Sequence, residues 1–322
     1  MCTAVTLSCN DFYFGRTLDL EHTYGEEVVI APRNFPLNFR HTASFKQHLA
    51  IIGIAHVAQG YPLYYDAVNE AGLCMAALNF SGFAKYGKFV AGKHNVACFE
   101  LIPWILAQCN NADDAYCLLQ TVQLTDTPFS PEFPNAELHW MIADRHHCIT
   151  LEWMTEGLSI HDNPVGVLTN NPPFEHQMYY LQNFMQVSSD PPINRLAPGL
   201  DLKPFSRGMG GMGLPGDLSS QSRFVRAAFT KFHSVVEEEP FVSQFFHIMD
   251  TVGQTRGCCR LEDGSMPITQ YTSCCNASRG IYYYTTYSNR RITAVDLHRE
   301  DINGTQLHRF PFLFQEDIAF LN

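Results

Sequence analysis

Short apolar runs separated by turn residues dominate the first third of the chain. Cys2 to Leu7, Glu27 to Ile30, Leu49 to Ala55 and Leu73 to Asn79 are rich in Val, Ile, Leu and Ala and punctuated by Gly or Asn, a pattern that predicts strands. The period then changes. Cys98 to Gln108 carries Phe99, Ile102 and Leu106 at helical spacing, although Pro103 interrupts it. Asn111 is placed to cap a second helix whose first turn holds Asp113 and Asp114 at the positive end of the dipole. Glu137 to Ala143 and Cys148 to Met154 predict a hairpin turning at Asp144 to His147, and Gly166 to Thr169 a further strand that enters a Pro-rich turn. Ser188 to Pro215 reads as loop, with Pro191, Pro192, Pro198 and Pro204 followed by Gly208, Gly210, Gly211 and Gly213. Ser219 is placed to cap a helix through Phe232, and Phe241 to Val252 predicts another with Phe241, Phe245 and Phe246 on its aromatic face. Three more strands are expected between Pro267 and Leu297. Strands, helix pair, strands, helix pair, strands is the order of an α+β fold with two antiparallel sheets and helices on their outer faces, not of alternating βα units. With no internal repeat or linker, residues 1–322 are expected to form a single domain.

Composition narrows the class of function. The chain has 322 residues, 46% of them hydrophobic, enough for a sizeable core. Its 32 acidic and 21 basic residues leave a net charge of -11 and no Lys/Arg-rich run, which disfavours nucleic acid and anionic membrane surfaces as partners. The first residues carry acidic and polar side chains where a secretory signal needs an apolar stretch, and no run approaches a membrane span, so a cytoplasmic protein without membrane insertion is expected. Eleven cysteines, an odd number without a compact framework, are then expected to stay as free thiols. Cys258/Cys259, Cys274/Cys275 and the consecutive His146, His147 and Cys148 raise the thought of a metal. Consecutive strand residues point to opposite faces, and neither paired CxxC nor HExxH motifs occur, so no metal is expected.

The chemistry concentrates at the N-terminus. Removal of Met1 would leave Cys2 with a thiol and a free α-amine, a nucleophile and its general base on one residue, with reference pKa values of about 8.5 and about 7.7 to 8.0. A turn at Asn10 and Asp11 would fold the next strand back beside Cys2, bringing Arg16 and Asp19 of GRTLDLE near it. A guanidinium beside a thiol favours the thiolate and a carboxylate can orient an amine; the same two residues could equally form a slight surface ion pair. Asn79 and Asn170 each end an apolar run. Each fits a turn, and the two converging on a nucleophile would supply donors to a developing oxyanion. The segment GMGGMGLPGD lacks the Lys-Ser/Thr ending of a phosphate loop, and Arg223, in the first turn of the following helix, gains nothing from the dipole, which points to a carboxylate or a substrate holding it there.

Together these residues resemble the choloylglycine hydrolase family of N-terminal nucleophile hydrolases, bile salt hydrolases and penicillin V acylases among them. The resemblance runs in consistent order through MCT, GRTLDLE, IAPRNFP, NEAGLCMAALNF, ELHWMIAD, GVLTNNPPF, GLPGDLSSQSRFVRA, QFFHIMDTV, ITQYTSC and GIYYYTTY. It implies a four-layer αββα sandwich with Cys2 as nucleophile, Arg16 and Asp19 arranging its thiol and amine, Asn79 and Asn170 around the oxyanion, and Arg223 as the remaining active-site arginine. It also implies no cofactor and a homotetramer. Asn at position 79, where penicillin V acylases tend to carry Tyr, leans toward conjugated bile salts as substrate. Leu18, Ala58, Tyr65, Phe129, Phe133 and Leu138 occupy positions that would line a steroid trough, and each is equally suited to ordinary core. The alternatives are an acylase of penicillin V or acyl-homoserine lactones with the same mechanism and, from another class, a noncatalytic thiol-rich metal-binding protein.

Overall fold

The computed structural model describes residues 1–235 and 240–322. Two large antiparallel sheets carry the fold. In the six-stranded sheet the spatial order is Val167–Leu168, Cys2–Ser8, Phe12–Leu20, Ile268–Asn276, Ile281–Thr286 and Thr293–Asp296. In the eight-stranded sheet it is Gly157–Asp162, Cys148–Met154, Leu138–Ala143, Cys74–Asn79, Tyr61–Asn69, Ile51–Ala58, Glu27–Ala31 and His308–Pro311. Each strand of either sheet runs antiparallel to its neighbours. Helices Ser220–His233 and Phe241–Asp250 cover the outer face of the first sheet, and Leu101–Leu106 and Ala112–Leu119 the outer face of the second. The result is a four-layer αββα sandwich.

The period of two explains how the inner strands are buried on both faces. Val28, Ile30, Ile52, Ile54, Cys74, Ala76 and Leu78 face the six-stranded sheet and pack with Phe14, Tyr271 and Tyr282. Their alternates Val29, Ala31, Ile51, Leu73 and Met75 face the helical layer and pack with Leu101, Ile105 and Trp140. A strand sandwiched in this way reads as a near-continuous apolar run, which is why these segments stand out in the sequence.

Asn111 caps its helix as expected, its Oδ1 accepting from the Asp114 amide at 2.8 Å. Pro103 is no breaker: a 3₁₀ turn at Cys98–Glu100 precedes the α-helix Leu101–Leu106, so the proline falls in its first turn, where the missing N–H has least to bond. Ser219 occupies the N-cap position, but its hydroxyl accepts from no helix backbone N–H and instead donates to the Ser222 hydroxyl at 3.1 Å; Asp217 accepts from the Ser219 amide at 2.9 Å and from the Ser222 hydroxyl at 2.6 Å. Several elements escaped the pattern: the strands Tyr61–Asn69, Gly157–Asp162 and His308–Pro311, the parallel pair His94–Ala97 and Val122–Thr125, and the helix Phe174–Leu181. They are short, or interrupted by polar residues that face other layers. Among the described residues no helix is long and apolar enough to cross a membrane.

Candidate active site

The hairpin Cys2–Ser8/Phe12–Leu20 pairs Cys2 with Leu18 and Ala4 with Arg16. Alternation along its strands then sorts the side chains. Cys2, Arg16 and Leu18 line a cavity between the sheets, whereas Thr3 and Asp19 meet Arg223 from the helical layer. Gly15 makes this possible, because a Cβ there would stand 2.0 Å from the Ser273 carbonyl oxygen on the neighbouring strand.

On the helical side the contacts converge on the first peptide of the strand. The Cys2 amide nitrogen donates to Asn170 Oδ1 at 2.8 Å. Arg223 donates to the same oxygen at 2.6 Å, to the Thr3 hydroxyl at 2.7 Å and to the Cys2 carbonyl. Asn170 Nδ2 in turn donates to the Asn79 carbonyl at 2.8 Å. Asp19 accepts from the Thr269 hydroxyl at 2.7 Å and the Thr17 hydroxyl at 3.1 Å, while its backbone pairs with Met1 at 2.6 and 2.8 Å. Burial pushes the Asp19 carboxyl above its ordinary range, opposed by Arg223, the chain-terminal ammonium and the two hydroxyls. Burial pulls the Arg223 guanidinium down, against the pull of Asp19 and Cys2.

Arg16 is buried at the cavity floor. It donates to the Tyr65 carbonyl at 3.2 Å, the Ala77 carbonyl at 2.5 Å and the Thr17 carbonyl at 3.1 Å, bridging the two sheets, and its Nη2 has no protein partner. Burial depresses its pKa, but Cys2, Tyr271, Asp66 and Asp19 outweigh that and hold the cation above its ordinary range. Asp66, from the facing sheet, is itself held by the hydroxyls of Tyr271 at 2.7 Å, Ser273 at 3.0 Å and Tyr282. Nothing in the sequence pattern marked it, since one aspartate inside an apolar strand carries no spacing signal.

The six residues expected at the site are therefore brought together, in two roles. Cys2, Arg16 and Asn79 reach the cavity; Asp19, Asn170 and Arg223 lie behind the strand and hold its first residue. The Asn79 side chain is exposed there, bonded only to the Ser81 hydroxyl at 3.2 Å. The cavity measures about 400 Å³, and Leu18, Tyr65, Phe129, Phe133 and Leu138 line it. Ala58 does not. It is buried at the end of its strand opposite Tyr61, and His56 of that strand reaches the lining instead. Phe99 and Glu132, absent from the sequence expectation, also line the cavity, and Phe99 packs edge-on against Phe129 at 5.2 Å with Arg40 over both rings. Phe129 and Phe133 were expected here only through the family resemblance; Phe99 was hidden by its helical spacing.

Cys98 shares the cavity, but burial pushes its thiol up to about 12, and the Arg16 guanidinium lies beside Cys2 instead. Burial likewise raises Cys74, Cys274 and Cys275 well above the ordinary thiol range. Among the described residues no three His, Cys, Asp or Glu side chains gather as a metal ion would require.

Comparison with known proteins identifies the family. Residues 2–310 match the linear amide C–N hydrolases of the choloylglycine hydrolase family. A bile salt hydrolase/transferase of Lactiplantibacillus plantarum is 49% identical over 313 residues, covering 97% of each chain, and one from Clostridium perfringens is 32% identical, again covering 97% of each. The solved structure of the conjugated bile acid hydrolase from Clostridium perfringens superposes with a TM-score of 0.93 at 31% identity, with both chains covered completely. The penicillin V acylase from Agrobacterium tumefaciens shares the fold, with a TM-score of 0.77 at 17% identity, over 96% of this chain and 90% of its own. On the strength of these matches, the chain belongs to the choloylglycine hydrolase family of linear amide C–N hydrolases.

Proposed function

We propose that the protein hydrolyses the amide joining a bile acid to glycine or taurine. The observation that carries this reading is the position of Cys2: its sulfur opens into an apolar cavity beside the Arg16 guanidinium, while its nitrogen is fixed by Asn170 on the opposite side of the strand. With Met1 removed, that nitrogen becomes a primary amine already oriented by Asn170 Oδ1. The thiol attacks the substrate carbonyl and its proton passes to the amine. The amine then gives the proton to the departing nitrogen, and glycine or taurine leaves as the C–N bond breaks and the C–S bond remains. Water, deprotonated by the same amine, attacks the thioester and releases bile acid and the free thiol. Asn170 spends one amide proton on the Asn79 carbonyl, whereas the Asn79 amide faces the cavity, so Asn79 is the donor aimed at the developing oxyanion and Asn170 the residue that orients the amine. Arg16 supplies a fixed cation at the sulfur, and every group the steps need is a protein group, with no cofactor.

The aromatic wall of Phe129 and Phe133 and the apolar Leu18 and Leu138 suit a steroid face. Release of glycine and taurine from conjugated bile salts, compared with release of phenoxyacetate from penicillin V, tests the substrate; preference for penicillin V would replace the bile salt reading with that of an acylase. Mass spectrometry of the purified protein tests the nucleophile, because a chain that keeps Met1 has an amide nitrogen on Cys2 and no base. Full turnover by such a chain would overturn the mechanism. The same reading carries the expectations of a cytoplasmic location and a homotetramer.

A further inference from the structure

His139 and Glu152 are fully buried, titratable and unused by the steps above. Their contacts lead to both asparagines of the site. His139 Nε2 lies 3.0 Å from the Thr169 carbonyl oxygen, and its Nδ1 lies 3.2 Å from Glu152 Oε1. A carbonyl only accepts, so Nε2 carries a proton, and Glu152 fixes that arrangement by sharing the proton at Nδ1. Glu152 Oε1 also accepts the Phe174 amide at 2.9 Å, tying the start of helix Phe174–Leu181 to the same point. The Thr169 carbonyl belongs to the peptide plane whose nitrogen is that of Asn170, and the opposite edge of the plane donates to the Ser220 hydroxyl at 2.8 Å. Phe80, the residue after Asn79, stacks on the His139 ring at 4.4 Å with an interplanar angle of 4°.

We propose that His139 is a positioning residue for the reaction assigned above, holding Asn170 through the Thr169 carbonyl and Asn79 through the stacked Phe80 ring, with Glu152 fixing the imidazole. One rigid ring thereby sets the spacing between the amide that orients the nucleophile and the amide that meets the oxyanion. Core packing alone does not account for the pair. Burying two ionisable groups costs desolvation, and apolar residues of the same volume usually serve stability at least as well, so the contacts of the pair point to orientation. The inference rests on the proposed hydrolysis for its readout.

Two amide substitutions separate the two arms of the ring. His139→Gln places its Nε2 near that of the imidazole and can still donate to Thr169; His139→Asn reaches only the Glu152 side. His139→Asn should lower kcat for glycocholate about 10- to 100-fold with KM within about twofold, and His139→Gln, which keeps the donor to Thr169 but loses the ring that stacks on Phe80, should fall between His139→Asn and the parent, in line with the cost of misplacing catalytic groups by an ångström. Equal losses in both variants, or full kcat in His139→Asn, would overturn the proposal. The unsubstituted enzyme in the same assay tests the bile salt reading separately. A crystal structure of His139→Asn gives a readout independent of substrate: the Asn170 carboxamide should be drawn away from the Cys2 nitrogen, and an unmoved carboxamide sinks the proposal. Should His139→Asn fail to fold, Ser220→Ala releases the opposite edge of the same peptide and should likewise lower kcat with KM unchanged, whereas an unaltered kcat would count against it.

Discussion

At the scale of single residues, the site is defined by which groups are free to act and which are already committed. Arg223 spends its donors on the Cys2 carbonyl, the Thr3 hydroxyl and the Asn170 side-chain oxygen, and Asn170 donates to the Asn79 carbonyl, so both hold geometry. Asn79 keeps its amide exposed at the cavity. Asn79→Ala should therefore behave as the loss of an oxyanion donor, lowering kcat about 10²- to 10³-fold in steady-state hydrolysis with little change in KM. A loss confined to KM would mean that Asn79 binds the ground state and would remove it from the oxyanion role. Cys2, Arg16, Asp19, Asn170 and Arg223 were legible as candidates because each stands at a strand end, beside the N-terminus or in an unfavourable helix turn. Asp66, His139 and Glu152 were not, because a buried polar residue inside an apolar run looks like a defect of the pattern until its partners on other strands are known.

At the scale of elements, the hairpin that carries the nucleophile depends on close approach and on one half-buried lysine. Gly15→Ala would drive a Cβ into the Ser273 carbonyl and shift Arg16 on the next residue. It should destabilise the fold by about 1 to 3 kcal/mol, measured by denaturant unfolding, and lower activity more than that loss of folded protein explains. Lys231, near the end of helix Ser220–His233, donates to the Thr6 hydroxyl at 2.9 Å and the Val165 carbonyl at 2.5 Å, tying the outer helix to the first strand. Burial lowers its pKa to about 8, below the reference of about 10.4. The unfolded chain then binds more protons between those two values, so this residue's contribution raises stability as the pH climbs from about 8 toward 10 and is constant, at its lower level, below 8. Lys231→Met should abolish that rise, and subtracting its unfolding free energies from those of the parent at successive pH values isolates it. A pH-independent difference would show that the lysine stays charged on its oxygen acceptors. The strands sandwiched between layers were readable from their continuous apolar runs, and the edge strands Gly157–Asp162 and His308–Pro311 were not, since half-exposed residues dilute the signal.

At the scale of the whole molecule, the long loop between helix Phe174–Leu181 and helix Ser220–His233 leaves large apolar side chains exposed. Ile193, Leu196 and Phe205 are 77%, 88% and 86% exposed, and none of them lines the cavity. Several large apolar side chains exposed along one loop of a protein with a net charge of -11 make that loop a candidate contact surface between copies. Sedimentation velocity should find the homotetramer expected from the family, and replacing Leu196 and Phe205 by Ser should shift it to smaller species. A monomer at micromolar concentration would end that expectation.

The amino-acid sequence by itself determined the strands sandwiched between layers, the outer helices Ala112–Leu119, Ser220–His233 and Phe241–Asp250, and the nucleophile candidate at Cys2 with candidate polar residues near it, because these follow from local periodicity and residue chemistry. Tertiary structure alone decided which of those residues face the cavity and which brace the strand from behind, and that Ala58 stays out of the lining while Phe99 enters it. The reason is geometric. A strand's period of two divides neighbours between opposite faces, but the identity of each face is set only when other sheets and helices, distant in sequence, close over it.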